Sequence, residues 1–169
     1  MMKKFNTVVL NVTVAILDFL YQCRDIQRFW VLEVIARAPY FSFLSVLHFR
    51  ESLGLRTEEH FHLMKEHFAQ TVNETEHLEE MERRGGDSAW IDRFLAYHLV
   101  LVYYWIMVVY YSLAPRSAYH LNSEVELHAS VTYGKYLTNH VDDQKILSIM
   151  NDELQHYHEM IVAMEKANV

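Results

Sequence analysis

The chain has 169 residues, 51% hydrophobic and 14% aromatic, with only 4 Gly and 2 Pro. That length fits one domain with a core of its own, and so few breakers argue against the many turns of an all-β protein and favour long helices. A net charge of -7 argues against a nucleic-acid partner, and the single cysteine, Cys23, excludes an internal disulfide and a CxxC metal knuckle.

Residues 1–22 carry Lys3-Lys4 followed by a mostly apolar run broken by Asn6, Asn11 and Asp18. No small-residue cleavage site follows, and the stretch is not rich in Arg or Ser, so no cleaved signal or transit peptide is expected. Two readings remain equally open: an amphipathic helix lying on a membrane or on the bundle, and an apolar packing helix. The rest reads as further helices within a single domain over 1–169. The second covers 26–53, is apolar over much of its circumference, and is interrupted by Pro39, where a kink or a weakened hydrogen bond is expected. Within it Glu33 is flanked by Trp30-Val31-Leu32 and Val34-Ile35-Ala36, a costly place for a carboxylate unless it is bound to something or points to water. Gly54 is a plausible stop, and Thr57 an N-cap with Glu58 and Glu59 in the turn that follows. The third helix, 58–84, ends at Gly85-Gly86. Asp87 or Ser88 is the expected cap of the fourth, whose 94–113 stretch is apolar and aromatic for about the length of a bilayer span. Its many Tyr residues and its place between acidic helices favour a buried bundle helix with a membrane-facing side over a span. The fifth, 117 to about 140, carries Glu126, and Asp142-Asp143 start the sixth.

Two stretches repeat a pattern: Asn73-Glu74-Thr75-Glu76-His77 and Asp152-Glu153-Leu154-Gln155-His156. Glu and His three residues apart share a helix face and can hold one ion together. Two such pairs, with one Glu from each of two further helices, make the dinuclear centre of a carboxylate bundle. The spacing supplies those two glutamates. Glu33 and Glu74 lie 21 and 20 residues from Gly54, and Glu126 and Glu153 lie 14 and 13 from His140, so each hairpin brings its carboxylates level. The same bookkeeping rejects a third pair, Glu59-x-x-His62, which sits too near the turn and where first-turn capping explains the acid. Four carboxylates offset two divalent ions, and mixed carboxylate and imidazole ligation suits iron and oxygen chemistry. The fold expected is therefore all-α, a ferritin-like di-iron carboxylate four-helix bundle with additional membrane-associated helices. His48, His67 and His98 read as satisfied interior or interface histidines, and Tyr103-Tyr104-Trp105 and Tyr110-Tyr111 as core and interface aromatics.

The flanking residues resemble the alternative oxidase family, and within it the plastid terminal oxidase branch. The matching stretches run from Arg28 to Phe41 (RFWVLEVIARAPYF), and include Asn73-Glu74-Thr75-Glu76-His77-Leu78, Asp92-Arg93-Phe94-Leu95-Ala96 and Leu113-Ala114-Pro115-Arg116. They continue through Ser123-Glu124-Val125-Glu126-Leu127-His128-Ala129 to Asn151-Asp152-Glu153-Leu154-Gln155-His156. The resemblance implies a monotopic membrane protein, of a thylakoid or bacterial cytoplasmic membrane, working as a homodimer. It would oxidise quinol, plastoquinol or ubiquinol, and reduce O₂ to water without pumping protons. It implies two iron ions held by Glu33, Glu74, His77, Glu126, Glu153 and His156, with the histidines either ligating directly or through hydrogen bonds. Asn73 and Asp152 match residues that orient ligands. Tyr133 matches a redox-active or hydrogen-bonding tyrosine. Arg28, Leu32 and Thr132 match the quinol pocket. One departure is the short connection 139–144, where plant members carry a long insertion. Two rivals from the residues alone are another di-iron oxygenase, such as a hydroxylase of a quinone precursor, and a ferritin-like iron-binding protein without enzymatic activity.

Overall fold

The computed structural model describes residues 2–167, and among these the backbone forms six helices and no strand. They are α1 (Met2–Leu20), α2 (Asp25–Ser52), α3 (Glu58–Arg83), α4 (Trp90–Leu113), α5 (Pro115–Leu137) and α6 (Gln144–Lys166). The all-α class follows from the scarcity of Gly and Pro, which leaves long runs with nothing to end them. The helices fall into two compact units: Ile26–Pro115, holding nearly all of α2 with α3 and α4, and a second holding α1, α5 and α6.

In the first unit, α2 and α3 both end on a glycine in the left-handed region, Gly54 at φ 77° and Gly85 at φ 81°. Both ends carry the paired hydrogen bonds of a Schellman cap. Leu55 N–H donates to Arg50 O and Gly54 N–H to Glu51 O; Gly86 N–H donates to Met81 O and Gly85 N–H to Glu82 O. Thr57 caps α3 by accepting from the His60 amide at 3.1 Å. Pro39 does not end α2, which continues through it, and since Pro has no N–H the hydrogen bond to the carbonyl four residues back is missing there. Gly86 is needed for closeness: a Cβ there would lie 2.6 Å from Trp30 Cβ and 2.9 Å from Ile26 O. Trp30 is buried, with its indole N–H directed at Glu82 Oε1 at 3.4 Å.

Two expectations for α4 are corrected. Its start carries no side-chain cap: the cap position is Ala89, two residues past Asp87, and the Asp87 carbonyl accepts from the Arg93 guanidinium instead. α4 is also less buried than the expected bundle helix with a membrane-facing side, since only 17% of its apolar window is buried. Asp92, Ala96, Met107 and Tyr111 are its buried residues, and α2 holds it through Ser42 Oγ, which donates to Tyr104 O at 3.0 Å. Leu99, Val102, Trp105, Ile106 and Val109 stand exposed. By contrast, the equally long apolar window of α2 is 67% buried, as a core helix should be.

Further inside this unit His67 is fully enclosed. Its ring lies 5.1 Å from that of Phe43 and 6.2 Å from that of Tyr40, and its Nδ1 is 2.8 Å from Gln70 Oε1. The expectation of a satisfied interior histidine holds for His67, whereas His48 and His98 are exposed. Burial lowers the His67 pKa to about 4, with the Gln70 hydrogen bond opposing.

In the second unit, α1 is tied to α5 by Asn6, which is fully buried and donates to Ser117 O at 2.8 Å. Leu17 and Tyr21 are buried further along. The other face of α1 leaves Phe5, Val8, Val12, Ile16 and Phe19 exposed at helical spacing. Between α5 and α6, Ser130 Oγ donates to Met150 O at 3.0 Å. α5 starts two residues earlier than expected, at Pro115, a favoured first helical residue, and stops at Leu137, not near 140. Asp143 caps α6 by accepting from the Ile146 amide at 3.2 Å.

Two outcomes follow from this packing. Gly86→Ala destabilises by about 1–3 kcal/mol, because backbone and the Trp30 Cβ crowd the new methyl; thermal unfolding checks it. The His67 contribution has a definite sign. The folded pKa lies below the ordinary 6.5, so stability present above pH 6.5 is lost as pH falls toward about 4, to a limit on the order of 3 kcal/mol. Denaturation midpoints of the metal-free protein between pH 7 and pH 4.5 fall less steeply in His67→Phe than in wild type.

Candidate metal centre

Each unit gathers two glutamates and a histidine from two helices. In the first, α2 brings Glu33 and α3 brings Glu74 and His77. One ligand atom from each lies within 4.8 Å of the others. His77 Nδ1 is 3.8 Å from Glu33 Oε2 and 3.9 Å from Glu74 Oε2. Glu33, Glu74 and His77 are all buried, Glu74 completely. The hairpin explains the meeting: positions equally far from Gly54 come level, and the three-residue spacing turns His77 to the face of Glu74.

In the second unit, α5 brings Glu126 and α6 brings Glu153 and His156, again with ligand atoms within 4.8 Å of one another and all three side chains buried. Here the sequence reading missed a participant. Asn122, one turn before Glu126, is fully buried and donates from Nδ2 to Glu126 Oε1 at 3.0 Å. The i, i+4 spacing and the apolar context of Asn122 were the available signals.

The donor sets fit divalent first-row ions. Two ligands bound at about 2.1 Å to one ion are separated by at most about 4.2 Å, and the separations of 3.8 and 3.9 Å in the first triad lie inside that limit. They are too long for hydrogen bonds. Each triad carries two carboxylates, enough to offset one divalent charge where neither could be buried cheaply alone. Imidazole with carboxylate oxygen suits iron among such ions.

The remaining candidates lie as follows. Glu59 and His62 stay apart from these groups: His62 is exposed and pairs with Glu66 at 3.3 Å. Tyr133 is fully buried on α5. Thr132, beside it, donates from Oγ1 to His128 O at 2.8 Å and lies 3.3 Å from His128 Nε2. Arg28 and Leu32 are half-buried on α2. Asp152 is half-buried on α6, next to Glu153. Asn73 is half-buried, and its Oδ1 is enclosed without accepting a hydrogen bond, so no bond from that oxygen orients His77 or Glu74.

A family model described as "Alternative oxidase" matches residues 4–163. The chain is also 43% identical over 152 residues to "Ubiquinol oxidase 4, chloroplastic/chromoplastic" of Arabidopsis thaliana. That match takes in 90% of this chain but 43% of the relative, so the chain spans less than half of the relative's length. No solved structure gives a significant match. The all-helical fold and the acidic and histidine clusters agree with the di-iron helical bundle of the matched family. With the family model covering nearly the whole length, the chain belongs to the alternative oxidase family.

Proposed function

We propose that the chain is a membrane-associated di-iron quinol:oxygen oxidoreductase that works as one oxidase domain over 1–169. The observation that carries this reading is the pair of buried Glu-Glu-His triads in a chain of this family. Two irons are assigned to Glu33, Glu74 and His77 together with Glu126, Glu153 and His156. Iron bound there would supply the transfer of electrons from quinol to O₂. The balance is two quinols oxidised to quinones, four electrons and four protons passed to one O₂, and two waters released, without proton pumping. The substrate is plastoquinol or ubiquinol, the second being the quinol in the relative's name.

The chain's own groups divide the rest of the work. The glutamates hold the ions and lower their charge; the apolar packing around them keeps bulk water away. Arg28, Leu32 and Thr132 are assigned to quinol binding, and Tyr133 is assigned the transfer of an electron and a proton from its phenol. Asp152, and Asn73 through its Nδ2 donor, are assigned to orienting the ligands. The bare apolar faces of α1 and α4 support residence in one leaflet, of a thylakoid or bacterial cytoplasmic membrane, and a homodimer is the accompanying assembly.

Two measurements test this. Membranes carrying the protein should consume one O₂ per two plastoquinols or ubiquinols, and Glu126→Ala should lower that rate at least a hundredfold while its circular dichroism stays that of wild type. Oxygen found in an organic product would identify a hydroxylase instead. Val102→Glu with Val109→Glu removes two side chains from the exposed face of α4. Losing their transfer into lipid costs about 3 kcal/mol, roughly a hundredfold in partitioning onto phosphatidylcholine vesicles. Unchanged sedimentation with vesicles would remove α4 from the membrane surface.

A further inference from the structure

Asn122 is a polar side chain in the middle of α5, fully out of water. An amide buried this deeply is costly unless both its donor and its acceptor are used. Its Nδ2 donates to Glu126 Oε1 at 3.0 Å. Its Oδ1 is enclosed and accepts no hydrogen bond. Folding alone would do better with an apolar residue there, and the other half of the chain has one. The position one turn before Glu33 is Phe29, buried against the core of its own unit. The two carboxylates that match in the repeated pattern therefore differ in what stands behind them. Of these two, only Glu126 has an amide on its preceding turn; Gln70, one turn before Glu74, sets its Oε1 against His67 Nδ1.

A carboxylate oxygen that accepts such a bond has its rotamer fixed and its other oxygen directed away from the donor. We propose that Asn122 is a positioning residue for Glu126: it engages Oε1, so that Oε2 is the oxygen presented to metal, and the ion held by Glu126, Glu153 and His156 depends on it. The inference rests on the reading of Glu126 as a metal ligand. It makes the two metal positions unequal, with the amide supporting one ion and not the other. Substitution of a residue that orients a ligand typically lowers metal affinity 10–100-fold.

The test uses the detergent-solubilised, metal-free full chain titrated anaerobically with Fe(II) alone, alongside its thermal unfolding. Asn122→Leu keeps the branched shape, with a somewhat larger volume, and removes both the donor and the enclosed acceptor. The expected result is a melting temperature of the metal-free protein equal to or above wild type, one ion bound as in wild type, and the other bound 10–100-fold more weakly. Asn122→Ala, which cannot overpack, gives the same loss of one ion if the leucine variant misfolds. Two ions bound with wild-type affinity in both variants would overturn the proposal, as would a lowered melting temperature with both ions retained, which marks a packing role. Glu126→Ala separates the two levels: it should lose the same ion. If Glu126→Ala binds both ions unchanged, it is the assignment of the metal site that fails.

Discussion

The structure turns on the burial of carboxylates. Each unit holds two glutamates and one histidine away from water, with ligand atoms within 4.8 Å. Coulomb repulsion between two such carboxylates and the loss of their hydration both oppose folding. A divalent ion reverses both terms at once, which is why the same residues that burden the metal-free core define the site. The helices are the means. A helix presents Glu and His on one face at three-residue spacing, and a capped hairpin brings a partner Glu level. The Schellman caps at Gly54 and Gly85 and the close approach at Gly86 are therefore parts of the site's construction, although none of them touches it.

The apolar surface has a complementary logic. α2 and α4 have similar length and hydropathy, yet one is two-thirds buried and the other is largely bare. A soluble protein would hide the Leu99, Val102, Trp105, Ile106 and Val109 side chains of α4. α1 shows the same division on a smaller scale. Asn6 fastens it to α5 while Phe5, Val8, Val12, Ile16 and Phe19 remain uncovered. Uncovered apolar faces of this kind are what supports the proposed residence at a membrane.

Much of this was legible in the sequence, for physical reasons that can be named. Helix limits at Ser52, Glu58 and Arg83 followed from Thr57, Gly54 and Gly85, whose backbone or side-chain roles are local. Distance from the turn selected Glu74 over Glu59, since level placement depends only on counting residues. The start of α4 was misplaced because Asp87 uses its carbonyl, not its side chain, in the turn. Its burial was misjudged because composition reports how apolar a helix is and not what covers it. Pro39 showed the same limit: it did not end α2, a mostly buried helix. Asn122 was missed because one amide near one glutamate forms no repeat, and its role depends on the fold, where its donor meets Glu126 and its acceptor is enclosed.

The central claim is that the two buried triads are a two-iron complement. The most direct measurement is iron per chain in protein purified under anaerobic Fe(II) loading, with excess metal removed by gel filtration. The account requires two irons per chain. None, a single tightly held iron, or tens of irons per chain as in a storage shell would contradict it.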